Sequence, residues 1–398
     1  MKLMARNLWR HTWRIRLPVV FKKSFLICLM VLIFLSLTFT YISKNPIRTG
    51  RHYAYNDTTI AMEISSESQL QFTPKKNIES IKHSKRANIV IMSYPRSGSS
   101  FLGDVFNHHP EVFYLFEPLR TVQRSFSKDS VFEFDFSSTS YQNSASTFLK
   151  DIMNCTFSSN DTFIRYLIPQ DRNNSLALIS PPFCAKNGTS MVCQNLKSQE
   201  LETVCRENYN VFAAKIISPR LPTVHEKWNE AFFRSCSTNG TSKCNIIHLV
   251  RDPRAVVCSL KSVGFFKRRN DPSRELSWFV KKICHQMELD LKVGMLTRYS
   301  LPDGYRLIRF EDLARSPLSA ASELYEFAGI EMLDSVKKWL HETTKSQNGR
   351  GSAYSTTRDS KQVVSSWRTK LSSADVQIVE NYCGKVMTQL NYKLTVFG

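Results

Sequence analysis

Residues 93–119 read SYPRSGSSFLGDVFNHHPEVFYLFEPL. The apolar run Ile89-Val90-Ile91-Met92 leads into the small residues Ser97-Gly98-Ser99-Ser100, and a helix-like stretch follows. Strand, tight turn and helix N-terminus in that order form a cradle of backbone N–H groups that holds a phosphate-like anion. Its residues are Pro95, Arg96, Ser97, Gly98, Ser99, Ser100 and Phe101. Arg96 adds a fixed cation with a forked donor. The nucleotide-hydrolase form of such a loop needs G-x-x-x-x-G-K-[ST], and no Gly-Lys pair stands here. The stretch predicts an anion site of another kind, with an ordinary Ser/Gly-rich turn as the alternative.

Outward from this loop, short apolar runs alternate with helix-like segments. ANIVIMSY (87–94), VFAAKII (211–217) and CNIIHLV (244–250) predict buried parallel strands. FYLF (113–116) predicts another, and YRLIRFEDL (305–313) a strand running into a helix start. Helices are expected at 99–108, 254–262, 272–297, 317–328 and 373–390. This is an α/β pattern with helices on both faces of one sheet. Residues 125–210 break the alternation and hold four N-x-[ST] acceptors and four cysteines, so they read as a disulfide-braced insertion in a single domain.

A second anion site is expected at HLVRDPRAVVCSL, 248–260. Arg251, Asp252, Pro253 and Arg254 stand at the carboxyl end of a strand, with Pro253 suited to the first turn of a helix. Ala255, Val256, Val257, Cys258 and Ser259 continue that helix, and Ser259 follows Arg251 by a little over two turns. Arg251 and Ser259 can therefore grip one anion from two sides. In the alternative, Asp252 caps the helix and both arginines are solvated. Ligands of α/β sheets sit at carboxyl strand ends, and two anion sites there suit a nucleotide phosphorylated at both ends.

The chain has 398 residues and a formal charge of +20. Residues 24–42, SFLICLMVLIFLSLTFTYI, carry no charge and as a helix span ~28 Å, the thickness of a bilayer core. Lys2, Arg6, Arg10, Arg14, Arg16, Lys22 and Lys23 precede them without an acidic residue, which predicts a cytoplasmic N-terminus. The expected organisation is a tail at 1–23, a membrane anchor at 24–42, a luminal stem at 43–86 and a catalytic domain at 87–398. Taking the seven tail charges from +20 leaves +13, so an anionic nucleotide, an acidic glycan or both are expected partners, and nucleic acid is not. Acceptors for N-glycosylation stand at Asn56, Asn154, Asn160, Asn173, Asn187 and Asn239. Nine cysteines follow the anchor. Cys236 and Cys244 are placed to close a turn, and Cys284 and Cys383 to pin the last helix. Cys155, Cys184, Cys193 and Cys205 make two bridges of open connectivity, and Cys258 is left over. No two cysteines show C-x₂-C spacing and no His cluster accompanies them, so no metal site is expected.

With RSGSSF, FYLFEPL, HLVRDPRAV, YRLIRFEDLAR and TTRDSKQVVSSWR, the chain closely resembles the Golgi carbohydrate sulfotransferases over roughly residues 87–393. Within them it is similar to the galactose/N-acetylglucosamine/N-acetylgalactosamine 6-O-sulfotransferases. The resemblance implies a P-loop-like three-layer sandwich around a mostly parallel sheet, in a single-pass type II Golgi membrane protein. It also implies 3′-phosphoadenylyl sulfate as co-substrate and glycan chains of glycoproteins or proteoglycans as acceptors. Pro95 to Phe101 then hold the 5′-phosphosulfate and Arg251 to Ser259 the 3′-phosphate. Ile179 and Lys197 depart from the family, where Cys often stands.

Sulfuryl transfer needs a base for the attacking hydroxyl and cations for the leaving phosphate. Arg96 is the candidate charge stabiliser. Glu117, after an apolar strand, is the candidate base, its proton affinity raised by desolvation; the alternative is a structural carboxylate pairing Arg120 or Arg96. His108 and His109 end the first helix, where packing is the commoner role. Lys215 either faces substrate or sulfate, or pairs with a carboxylate. Arg358 and Trp367-Arg368 fall in a basic late loop that either closes over the nucleotide or is solvated.

Overall fold

Strand β1 (Ala87–Ser93) is buried at every position. Val90 and Met92 enter one hydrophobic core, and Ile89 and Ile91 enter another. Because successive side chains point to opposite faces, such a strand must lie between two covering layers. The computed structural model describes residues 86–131, 133–159, 161–188, 190–222, 236, 243–268, 272–300, 303–345 and 364–395. In it β1 is the middle strand of a five-stranded sheet.

After β1 come α1 (Ser99–Asn107), β2 (Val112–Phe116) and α2 (Leu119–Phe126). Then follow α3 (Thr139–Met153), α4 (Thr162–Tyr166), α5 (Pro169–Asn173), α6 (Leu176–Ile179), the hairpin β3 (Cys184–Asn187) and β4 (Ser190–Cys193), and α7 (Ser198–Asn208). Strand β5 (Val211–Ile217) ends in a 3₁₀ turn at Ser218–Arg220, and β6 (Lys243–Val250) precedes α8 (Pro253–Ser262) and α9 (Pro272–Ser300). The chain finishes with β7 (Tyr305–Arg309), α10 (Phe310–Arg315), α11 (Pro317–Ala328), α12 (Asp334–Lys345), α13 (Trp367–Lys370) and α14 (Ser373–Gln389).

The sheet order is β2-β5-β1-β6-β7, and every pairing is parallel. All five carboxyl ends therefore open on one side. The strands and the five helices read from sequence stand within three residues of their expected bounds. Residues 125–210 are corrected from an insertion to a structural layer. Tyr141, Phe148, Leu149 and Ile152 of α3, with Leu201 and Val204 of α7, cover Val90, Met92, Phe113 and Leu115. On the opposite face α1, α11 and α12 cover Ile89, Ile91 and Tyr114. A third core joins α8, α9 and α14.

Four disulfides staple these layers. Cys155–Cys205 and Cys184–Cys193 resolve the open connectivity, while Cys236–Cys244 and Cys284–Cys383 stand as expected. Cys258 is free and buried. Among the glycosylation acceptors, Asn173 and Asn187 are exposed and Asn154 is half-buried at the end of α3. Asn56, Asn160, Asn239, the 24–42 anchor and the 43–85 part of the stem lie outside the described residues. No helix among the described residues is long and apolar enough to cross a membrane.

Candidate active site

The loop after β1 owes its shape to a hydroxyl turned inward. Ser97 Oγ donates to the Tyr94 carbonyl (2.7 Å) and accepts from the Tyr94 N–H (3.3 Å). The Ser97 hydroxyl is thereby engaged within the turn. Arg96 and Gly98 take left-handed backbone, φ 64° and 90°, which turns successive N–H groups toward one concavity. Only glycine fits at 98: a Cβ there would stand 2.2 Å from Phe310 Cδ2. No side chain caps α1, so its first-turn amides, at Ser99 and Ser100, are available to an anion. Phe101 is packed in the core beside Leu102.

Tyr94 fixes the base of the loop. Its hydroxyl donates to Asp290 Oδ2 (2.7 Å) and lies 3.0 Å from His248 Nε2. Ser218 also donates to Asp290, and His248 Nδ1 lies 2.6 Å from the Tyr305 hydroxyl. Burial pushes the His248 pKa down to about 3, so this ring is neutral. None of these residues was singled out from sequence; a lone Asp inside a long helix gives no local signal of such a partner.

The two anion loops meet through Arg96. Arg251 Nη1 donates to the Arg96 carbonyl (2.9 Å), and Arg96 Nε donates to Ser259 Oγ (3.0 Å). Arg251 and Ser259 thus both contact Arg96 of the first loop. Burial pushes the Arg251 guanidinium down from its ordinary value, a cost that an anion beside it would offset.

The rest of the 251–259 set serves the fold. Asp252 caps α8 by accepting from the Arg254 N–H (2.9 Å). Arg254 is not solvated: it pairs with Asp252 (2.8 Å) and Glu380 (2.6 Å) and lies 4.0 Å over the Trp367 ring. Pro253 opens the helix. Ala255 and Cys258 pack with Trp367 and Val376, and Val256 and Val257 enter the α8–α9–α14 core. These side chains are engaged in capping, ion pairs and helix packing.

Glu117 follows β2 in left-handed backbone, φ 46°, its N–H bonded to the Lys215 carbonyl (2.9 Å). Its carboxylate is ringed by Lys215 Nζ (2.6 Å), Arg220 Nη1 (2.9 Å) and Arg120 Nη2 (2.7 Å). Burial alone would raise its pKa; Lys215, Arg220 and Arg120 override that and hold it at about 2. The expected rise in proton affinity is therefore overturned. Lys215 takes its carboxylate-pairing alternative, with Nζ 4.1 Å over the Phe116 ring. Arg220 was missed, although its place just past the end of β5 is the signal that could have found it. Asp171 extends the cluster by pairing Arg120 and Arg124.

His108 and His109 lie at the other end of α1, ~13 Å along a nine-residue helix from the loop. His108 stacks on Trp339 with ring centroids 4.0 Å apart, and His109 Nε2 bonds the Glu331 carbonyl. Both are packing residues. Arg358 lies outside the described residues. Trp367 is buried beside α8, and Arg368 lies over its ring.

A parallel sheet whose middle strand runs into a glycine turn and a helix, with a buried arginine at the end of the adjacent strand, is suited to a phosphorylated ligand. The family model described as "Sulfotransferase domain" matches residues 86–391, and the chain belongs to that family. It is 28% identical over 343 residues to carbohydrate sulfotransferase 1 of Mus musculus, covering 78% of this chain and 80% of that one. To carbohydrate sulfotransferase 3 of Homo sapiens it is 29% identical over 342 residues, covering 78% and 68%. Among solved structures it is similar to mouse sulfotransferase SULT7A1 complexed with PAP, with 12% identity, a TM-score of 0.40 and coverage of 78% and 86%.

Proposed function

We propose that the protein transfers a sulfuryl group from 3′-phosphoadenylyl sulfate to a hydroxyl of Gal, GlcNAc or GalNAc, the 6-hydroxyl, in luminal glycans. The observation that carries this reading is Arg96 joining the two anion loops, through its carbonyl to Arg251 and its Nε to Ser259. One bisphosphorylated nucleotide suits that pair of loops better than two separate anions. The 5′-phosphosulfate falls to the Pro95–Phe101 backbone cradle and the 3′-phosphate to Arg251 and Ser259. The co-substrate supplies the activated sulfuryl group. Arg96 and the α1 amides stabilise the charge that develops on the departing phosphate.

The acceptor side lies toward β5 and β2. Glu117 ends a strand two places from β1, ~10 Å away at the usual strand spacing, which leaves room for a sugar hydroxyl between them. In this reading Glu117 accepts the hydroxyl proton. A carboxylate held at about 2 is always ionised and a weak base. It suffices for late transfer, because a hydroxyl bonding to sulfur becomes strongly acidic. A second reading, favoured by its three cation partners, makes Glu117 an ion-pair hub that only positions Lys215 and Arg220. The uncharged 24–42 run, its basic flank and the glycosylation acceptors support a Golgi membrane location with the domain luminal.

The test offers the full chain labelled 3′-phosphoadenylyl sulfate or ATP with a panel of defined glycans. Sulfate transfer to one sugar hydroxyl is expected; transfer from ATP alone indicates a glycan kinase, and transfer from neither a binding protein. Glu117→Asp keeps the charge and shortens the reach. As base, its kcat falls by ~10² or more with nucleotide affinity within a few-fold. As hub, it keeps near-normal kcat and loses melting temperature instead.

A further inference from the structure

No residue of the motif YRLIRFEDLAR has a role in the transfer proposed above. Its Phe310 opens α10 at the carboxyl end of β7, and its ring lies against the first anion loop. A Cβ built on Gly98 would meet ring atoms Cδ2 at 2.2 Å and Cε2 at 2.4 Å. The same ring carries the second loop, with Arg251 Cζ 4.6 Å from its centroid. The next residue fixes that loop's backbone: Glu311 Oε1 accepts the Asp252 N–H (3.0 Å). Its Oε2 accepts the Tyr392 hydroxyl (2.7 Å), which ties the arrangement to the end of the chain. Arg309 lies over the Tyr392 ring at 4.2 Å.

We infer that Phe310 is a positioning residue that sets the separation of the two anion loops, and with it the span of nucleotide phosphates they engage together. The inference rests on the bisphosphate reading of those loops. A benzyl side chain suits the task because it is flat, rigid and has few rotamers. Gly98 rests on it without a side chain between, and Arg251 is drawn to it by cation–π attraction. The loops already touch where Arg251 Nη1 meets the Arg96 carbonyl, and the ring between Gly98 and Arg251 holds the rest of their relative placement. Two linked phosphates profit from both loops only when the spacing matches their own. A ligand with one phosphate uses one loop and is indifferent to the gap.

Calorimetry on the purified full chain tests this with adenosine 3′,5′-bisphosphate, adenosine 5′-monophosphate and adenosine 3′-monophosphate. Phe310→Leu fills most of the volume without a flat face. Phe310→Met, whose flexible chain adapts to irregular space, runs in parallel in case the first variant folds poorly. The expected result is a loss of about tenfold or more for the bisphosphate in the variants, with each monophosphate within about threefold of wild type. Equal losses for all three ligands overturn the positioning role, as does unchanged bisphosphate binding in both variants. The parent reading fails differently: the wild-type chain then binds the bisphosphate no more tightly than the monophosphates, and the positioning role falls with it.

Discussion

Arg96 and Glu117 both hold backbone angles that side chains disfavour, φ 64° and 46°. Each such residue stores ~1–3 kcal/mol, which persists only where surrounding contacts over-determine it. For Glu117 those contacts are three cations and a backbone bond to Lys215. The same cations tie stability to pH. The carboxyl has an ordinary value of 4.5 and is held at about 2 when folded. Its contribution is complete above pH 4.5 and is lost as pH falls toward 2, amounting to about 3 kcal/mol as an upper figure. His248, held neutral at about 3 by burial, adds a loss that begins higher, below pH 6.5. Urea midpoints of wild type and Glu117→Gln should therefore fall in parallel from pH 6.5 to 4.5. Below 4.5 wild type should fall more steeply. Parallel curves throughout would mean that Glu117 is not held low.

At the scale of elements, the loops after β1 and β6 act as a pair, and their division of labour is measurable. Arg251→Ala should weaken a 3′,5′-bisphosphorylated nucleotide by ~1.5–3 kcal/mol, the usual worth of a hydrogen bond to a charged group. Binding of a nucleotide without the 3′-phosphate should barely change. Equal losses for both ligands in calorimetry would remove Arg251 from the 3′-phosphate. Both loops were legible because strand, turn and helix start are encoded locally, by an apolar run, a glycine and a proline at the first helical turn. The helical layer from 125 to 210 was not. Its short helices α4, α5 and α6, five, five and four residues long, are too brief to show a period, and α4 and α6 are held by packing in the core against β1, β2 and β5. The Glu117 cluster was half legible. Residue 117 stood out at a strand end, but Arg220 and Asp171 reach it from 103 and 54 residues along the chain. A pairing over that distance is not written in local sequence, although the place of Arg220 just past β5 marks it as a strand-end residue.

At the scale of the molecule, charge decides what approaches the sheet's open edge. The chain carries +20, and +13 remains without the basic tail. A surplus of that size raises the local concentration of anions and speeds their capture, and salt screens it over a Debye length of ~10 Å at 0.1 M and ~3 Å at 1 M. Steering of an acceptor should therefore depend on the acceptor's own charge. With saturating nucleotide, kcat/KM for a sulfated oligosaccharide should drop by about tenfold between 0.05 and 0.5 M salt. Its uncharged counterpart, bearing the same acceptor sugar, should change by less than about twofold. The contribution of the basic N-terminal tail must be separated from that of the domain, since both meet the same solution. A full chain with Lys2, Arg6, Arg10, Arg14, Arg16, Lys22 and Lys23 changed to Gln serves as the control, and the same salt response is expected of it. If the neutral and sulfated acceptors respond alike, the positive surplus does not select acidic glycans. If the response disappears with the tail, the attraction belongs to the basic N-terminal residues and not to the domain that carries the site.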